Sequence, residues 1–460
     1  MNIVYKKVNM PPVHTGYAPV ILTKETMESH RRQVLLRMEE KGLDALLVYA
    51  DREHGANYAY LTGFEPRFEE SVLILYRDGS CRLMLGNENL KMCGYSFIKA
   101  QPVHVPHFSL PYQPMDTDKS LPELFDKAGL ADGMRIGCAG WKWFTSRHDE
   151  NGQMLDIPSF IVDAVRRLCP DSVLTNAADI FLDPARGLRI FSSANEIAHY
   201  EFGAGLASSQ ILCALNSVQP GKTEMEIAGE MNCLGQPMTV TMICAAGDRF
   251  TDAVVFPRNK KICLGDKFSL TLGLRGGLTS RAAYVAYQRE DLAEEVRDYL
   301  ERAAMPYYRM AVSWYEAVSI GTKCGEIYRM AEELLPREQY HWTLNPGHST
   351  GADEWVSSPM YPGSEVILQS GMMLQMDVIP SVPGYGGANA EDGIAIADEK
   401  LRAELREKYP AVWKRMQDRR EYMERELGIR LKEEILPLSD LCGYMRPYIL
   451  NHDYALAKGE

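Results

Sequence analysis

Hydrophobic and polar positions divide the chain near residue 190. Before that point, residues 24–42 repeat with a helical period. Val34 and Met38 share a face, Thr23 can cap the start and Gly42 can end it. The apolar runs "DALLVYA" (44–50) and "SVLILYRDG" (71–79) have strand length, and the second runs into a turn. The stretch "GWKWFTSRHDENGQM" (140–154) reads as loop and "SFIVDAVRRL" (159–168) as helix.

After residue 190 the elements lengthen. Ser193 with Glu196, and Thr223 with Glu226, have capping-box spacing and start two helices, the first running to about Val218. Strand-like runs follow at 239–245, 267–274, 371–379 and 392–398. A third long helix is predicted over 292–318, between them. This order predicts an α+β domain with helices on an antiparallel sheet. From about residue 399 the pattern is a charged helix broken at Pro410, read as a solvated face or a dimer contact.

At 460 residues the chain exceeds one ordinary core, so two or more domains are expected. Its net charge of −12 argues against nucleic acid or an anionic membrane as the main partner. No apolar run approaches the ~20 residues that span a bilayer. The opening "MNIVYKKVNMPP" lacks the apolar core of a signal peptide. Ten cysteines are scattered with no C-x-x-C pair, which fits reduced thiols and a cytoplasmic location better than a disulfide framework or a zinc cluster.

Candidate chemistry gathers in "LNPGHSTGADEW" (344–355). Gly347, Ser349 and Gly351 spell G-x-S-x-G, with Asp377 and His452 following in the order of a serine hydrolase triad. A nucleophile elbow needs a strand before the serine and a helix after it. Asn345-Pro346 and Pro359 fit that context poorly. His348 in its glycine turn, Asp377 in an apolar strand and Glu391 after "PGYGGANA" form another set. One imidazole and two carboxylates suit a divalent metal or an acid/base pair; the alternative is a set of hydrogen-bonded structural residues. The glycines of "PGYGGANA" precede no helix that would hold phosphate, so they read as a flexible loop.

"RRQVLLRMEEKGLDALLVYA…ANYAYLTGF", "RIFSSANEIAHYEFGAGLASSQILCALNSVQPGKTEMEIAGEM", "LGDKFSLTLGLRGG", "PGHSTG", "SGMMLQMDVIP" and "NAEDGIAIAD" occur in that order. Together they resemble the creatinase, prolidase and aminopeptidase P family over residues 24–400. The resemblance implies a two-domain α/β (α+β) fold. A creatinase-like amino-terminal domain (1–187) would precede a pita-bread domain (188–400) and a helical extension (401–460), and the chain would form a homodimer.

In the metallopeptidases of that family, two aspartates eleven apart, a histidine and two glutamates hold two metal ions. Those positions fall here on Thr271, Ala282 (Arg281 if the register slips by one), His348, Asp377 and Glu391. Two further active-site histidines fall on Val254 and Trp355, and Ser349 takes a glycine position. Thr271 and Ala282 remove two anionic ligands, so the resemblance implies no dinuclear centre. The cofactor expectation is none, or one weakly held divalent metal ion on His348, Asp377 and Glu391. Creatinase works without metal, but its acid/base histidine falls on Val254, which transfers no proton. Trp355 could be core or a pocket wall, Arg275 or Arg281 could face a ligand carboxylate, and Arg52 or His54 could reach the cleft. The resulting expectation is a C–N bond hydrolase with a reduced site, acting on a small molecule or dipeptide. The alternative is a non-catalytic relative that binds a small ligand or a protein.

Overall fold

The first strand, β1 (Ile3–Lys7), pairs antiparallel with residues 454–458, at the far end of the chain. In this computed structural model, which describes residues 1–248, 254 and 256–459, the chain forms two units. One comprises residues 22–189. The other joins residues 1–21 to residues 190 onward. The opening segment therefore leaves the amino-terminal domain that the sequence assigned it to.

The unit 22–189 is built on a mixed sheet of β2 (Ala45–Ala50), β3 (Ser71–Tyr76), β4 (Cys81–Leu85), β5 (Gln101–His104), β6 (Arg135–Ala139) and β7 (Val173–Asn176), in the order β5-β4-β3-β2-β6-β7. All six residues of β2 are buried, which explains its continuous apolar run: a central strand covered on both faces has no polar alternation. Helices Leu121–Ala128 and Ser159–Leu168 cover one face, with Phe125, Ile161 and Val165 packed among Leu47, Ile74 and Ile136. The helix Lys24–Glu40 is capped as expected, with Thr26 N donating to Thr23 Oγ1 at 3.2 Å, and Val34 and Met38 fully buried. The 140–154 loop is tied down by Asn176, whose Nδ2 donates to Met154 O at 2.7 Å.

In the second unit β8 (Ile243–Ala246), β9 (Lys267–Leu274), β10 (Gly277–Tyr284), β11 (His348–Ser349), β12 (Met373–Met376) and β13 (Asn389–Ile396) form an antiparallel sheet in the order β11-β12-β13-β10-β9-β8. A further strand, β14 (Ile435–Pro437), pairs with β13, and β15 (Tyr454–Lys458) completes the β1 pair. The helix Ala194–Ser217 lies across β9 and β10. Its approach depends on glycine. A Cβ on Gly203 would meet Arg275 O at 1.9 Å, and one on Gly276 (φ +112°) would meet Tyr200 O at 1.9 Å.

Three expectations change. The predicted helix 292–318 is one short 3₁₀ turn Glu294–Val296, a π-helical stretch Leu300–Ala304 and a regular helix Met305–Ala317. Pro306 has no N–H for the preceding turn, so the regular helix starts there. The helix opened by Thr223 ends after one turn, at Ala228. The tail is not a solvated extension. Its helices Glu399–Lys408 and Pro410–Arg425, broken at Pro410, pack Leu405, Val412 and Met416 against Ile197, Ala198 and Met373. Arg415 Nε donates to Glu201 of the long helix at 2.9 Å, and Arg419 reaches Glu201 and Asp440, each at 2.7 Å. Among the described residues, no helix is long and apolar enough to cross a membrane.

Candidate functional site

Antiparallel register builds the site. Thr271 faces Ser280 across β9 and β10, and Ser280 faces Glu391 across β10 and β13. Directly opposed residues project to one face of a sheet. Ser269, Ala282 and Asn389, two positions along, therefore share that face. They line a cavity of about 460 Å³ together with Glu354 and Asp377, and Val240, Ile243 and Ile379 supply apolar wall. Arg281 has the opposite parity. Its guanidinium donates to Asp392 Oδ2 (2.6 Å), Leu441 O (2.7 Å) and Tyr444 O (2.8 Å) and offers nothing to a ligand in the cavity. Ala282, not Arg281, is thus the residue that shares the cavity face with Thr271.

His348 is carried on β11, paired with Gln375 and Leu374 of β12. Gly347 before it holds φ +144°, and a Cβ there would meet Met360 Sδ at 2.8 Å. Asp377 follows the end of β12. One ligand atom from each of His348, Asp377 and Glu391 lies within 4.8 Å of the others, and all three side chains are buried. Trp355 stacks on the imidazole, with ring centroids 4.2 Å apart and planes 18° from parallel. At 38% exposed it is a cover on His348 rather than a core residue.

The electrostatics follow from three carboxylates facing one imidazole. Burial disfavours the imidazolium, but the carboxylates of Glu354 and then Asp377 outweigh it and raise the His348 pKa. Burial pushes Asp377 up to about 6, opposed by His348 and assisted by Glu354. Burial, Asp377 and Glu354 together hold Glu391 well above the usual carboxylate range. Glu391 Oε1 accepts from Gln375 Nε2 at 2.7 Å and its Oε2 from Asn389 Nδ2 at 3.4 Å. Among the described residues, His348 Nε2 and Asp377 Oδ1 are buried without an aligned hydrogen bond.

These donors fit one divalent cation: a nitrogen and carboxylate oxygens converge, and burial leaves their charge uncompensated. At the two positions where the resemblance sets aspartates, the side chains are neutral. Thr271 contributes a hydroxyl already paired with Ser280 Oγ (2.9 Å), and Ala282 a methyl group.

Other expectations resolve locally. Ser349 bridges to Ser357 in extended structure, not at a strand-to-helix turn, and among the described residues its buried Oγ has no hydrogen-bond partner, so the elbow is absent. Arg275 sits in the β9–β10 turn, outside the cavity lining. Arg52 and His54 belong to the unit 22–189, where His54 stacks on Trp141 at 4.5 Å. Val254 is half-buried, and its neighbours 249–253 and 255 lie outside the described residues. The "PGYGGANA" loop is tethered, with Gly386 N donating to Tyr284 Oη at 2.7 Å and Tyr385 Oη to Asp298 at 2.6 Å. Sequence reasoning missed Glu354, Gln375 and Asn389. Glu354 offers the one faint signal, an acid beside Trp355 and six residues after His348.

Residues 203–398 match the profile of metallopeptidase family M24. A Xaa-Pro dipeptidase of Pyrococcus furiosus is 26% identical over 230 residues, 47% of this chain and 63% of that relative. The chain thus spans under two thirds of the length of the curated relatives it matches. Among solved structures, a prolidase from Pyrococcus horikoshii has a TM-score of 0.62 at 18% identity, over 80% of this chain and 95% of that one. A prolidase from Thermococcus sibiricus has a TM-score of 0.64 at 17% identity, over 82% and 96%. With the ordered motifs, the antiparallel sheet and the His348–Asp377–Glu391 cluster, these likenesses support the creatinase/aminopeptidase P/prolidase family, and the solved structures show its pita-bread fold.

Proposed function

We propose that the chain is a C–N bond hydrolase for a dipeptide or another small molecule, working with one weakly held divalent ion in a reduced site. The observation that carries this reading is the convergence of His348, Asp377 and Glu391, the two acids lining a cavity of about 460 Å³, a volume suited to a small ligand. His348, Asp377 and Glu391 would hold the ion, which would supply Lewis acidity toward water and the scissile carbonyl. The rest falls to the protein. Trp355 fixes the plane of the His348 ring, and Gln375 and Asn389 orient Glu391. Thr271 and Ser280 present hydroxyls where a second ion would have sat, and these can bind polar groups of the substrate. A cytoplasmic homodimer belongs to the same proposal.

A second reading, a non-catalytic binding protein, is favoured by one specific observation. Both oxygens of Glu391 accept from amides, so the carboxyl is satisfied without a cation. Turnover separates the two. Protein supplied with Mn²⁺, Co²⁺ or Zn²⁺ is expected to hydrolyse a member of a panel of Xaa-Pro dipeptides, N-methyl amino acids and guanidino compounds, and His348→Ala is expected to abolish that activity. No turnover across the panel leaves the binding protein as the reading. Turnover that survives His348→Ala removes the proposed role of His348.

A further inference from the structure

We infer that Glu354 is a fourth ligand to the divalent cation, supplying an anionic oxygen that Thr271 and Ala282 do not. This rests on the single-ion reading above. Glu354 Oε1 lies 3.0 Å from His348 Nε2, yet no aligned hydrogen bond joins the two atoms. Two donors bound cis to one octahedral ion at roughly 2.1 Å each are about 3 Å apart, so this spacing suits two ligands of one ion. His348 Nδ1 lies 3.3 Å from Ser349 O; with the proton on that nitrogen, the Nε2 lone pair faces Glu354 and Asp377.

Charge points the same way. Asp377, Glu391 and Glu354 all line the cavity, and together they carry up to three negative charges beside one imidazole. Buried like charges at this density need a counter-cation or protons. Among the described residues, Lys267 is the one basic residue lining the same cavity, and Asp248 is a further acid there. Glu354 is also the most accessible of the four groups, its side chain 16% exposed against 0% for His348 and 5% for Asp377. It can therefore take a cation from solvent and pass it inward. In the metal-free protein its carboxylate rests against the imidazole that it would otherwise share an ion with.

The test is a titration of the chelator-stripped full-length chain with Co²⁺, followed by calorimetry and by the visible ligand-field bands. Wild type is expected to bind one Co²⁺ per chain. Glu354→Gln, nearly isosteric and at a partly exposed position, is expected to weaken binding at least about tenfold, since even outer-sphere partners act on that scale. It is also expected to shift the visible bands, which a purely structural role would not do. Glu354→Ala, with its melting temperature checked, guards against an effect peculiar to the amide. If both variants bind Co²⁺ with wild-type affinity and spectrum while Asp377→Asn loses binding, Glu354 is not a ligand and the single-ion reading survives. If wild type binds none of Co²⁺, Zn²⁺ or Mn²⁺, both ideas fall together.

Discussion

Two clusters of buried ionisable groups in the same unit follow opposite rules. Glu201, Arg415, Arg419, Asp440 and His14 join the long helix to the tail and the opening segment, and each acid meets a base: Asp440, for example, takes Arg419 at 2.7 Å and His14 at 2.8 Å. Beside the cavity, three carboxylates face one imidazole, and among the described residues His348 Nε2 and Asp377 Oδ1 lack an aligned partner. A matched buried network holds elements in register. A mismatched one stores charge that something else must balance, which is why displaced pKa values gather at functional sites. The contrast separates a structural cluster from a functional candidate without reference to any relative.

The largest expected effect lies in the matched cluster. Arg419→Ala leaves Glu201 with Arg415 alone and Asp440 with His14 alone, all beneath the tail helices. Removing one partner of a buried pair costs about 3–5 kcal/mol, and urea unfolding should show a loss of that size. A loss under about 1 kcal/mol would mean that the network is only decoration on the Leu405, Val412 and Met416 packing.

Acid and base titration should pull the two clusters apart. Burial raises Asp440, but Arg419 and then His14 more than offset it and its pKa ends below the usual value. Its stabilising contribution is therefore complete above the unfolded carboxylate pKa of about 3.9 and is lost as pH falls through the lower folded value. Asp377 has the opposite sign. Its folded value of about 6 lies above the unfolded one, so in metal-free protein its contribution is present below about 3.9 and disappears as pH rises through 6. Melting temperatures of chelator-treated protein between pH 4 and 7 should show that decline, and Asp377→Asn should flatten it. An unchanged slope in the variant would assign the decline to another group.

What the sequence disclosed divides along the same line. Local signals were legible because their causes are local: the capping boxes at Ser193 and Thr223 form, and Pro410 breaks the tail helix. His348, Asp377 and Glu391 were legible through motif order, and the structure brings them together. The β1–β15 pair was not legible, because it joins residues some 450 apart and neither strand has a distinctive pattern. The tail helices read as solvated because their buried residues include Arg415 and Arg419, whose partner Glu201 lies about 214 positions away. Glu354 looked like a loop acid. Its proximity to His348 is set by the Ser349–Ser357 bridge, which folds that loop back over the imidazole.

The smallest expected effect is the sharpest test of the comparison. Burial and the acidic neighbours raise the Glu391 pKa well above the usual carboxylate range, which favours its neutral form, so Glu391→Gln should change little in charge or shape in the metal-free protein. Gln375 Nε2 can still donate to the new amide oxygen, as it does to Oε1 now. The new NH₂ would confront Asn389 Nδ2, but Asn389 Oδ1 is buried without a partner, and turning that amide over offers it as an acceptor. Turning it over gives up the long Asn389 Nδ2–Ser280 Oγ contact at 3.4 Å, so the change in stability should stay within about 1 kcal/mol, the scale of one hydrogen bond. Cation affinity should nonetheless fall, because an amide brings no negative charge to the ion. Near-wild-type stability with weakened cation binding marks Glu391 as a group kept for function. A loss of several kcal/mol, like that expected for Arg419→Ala, would put the cavity acids in the structural class after all.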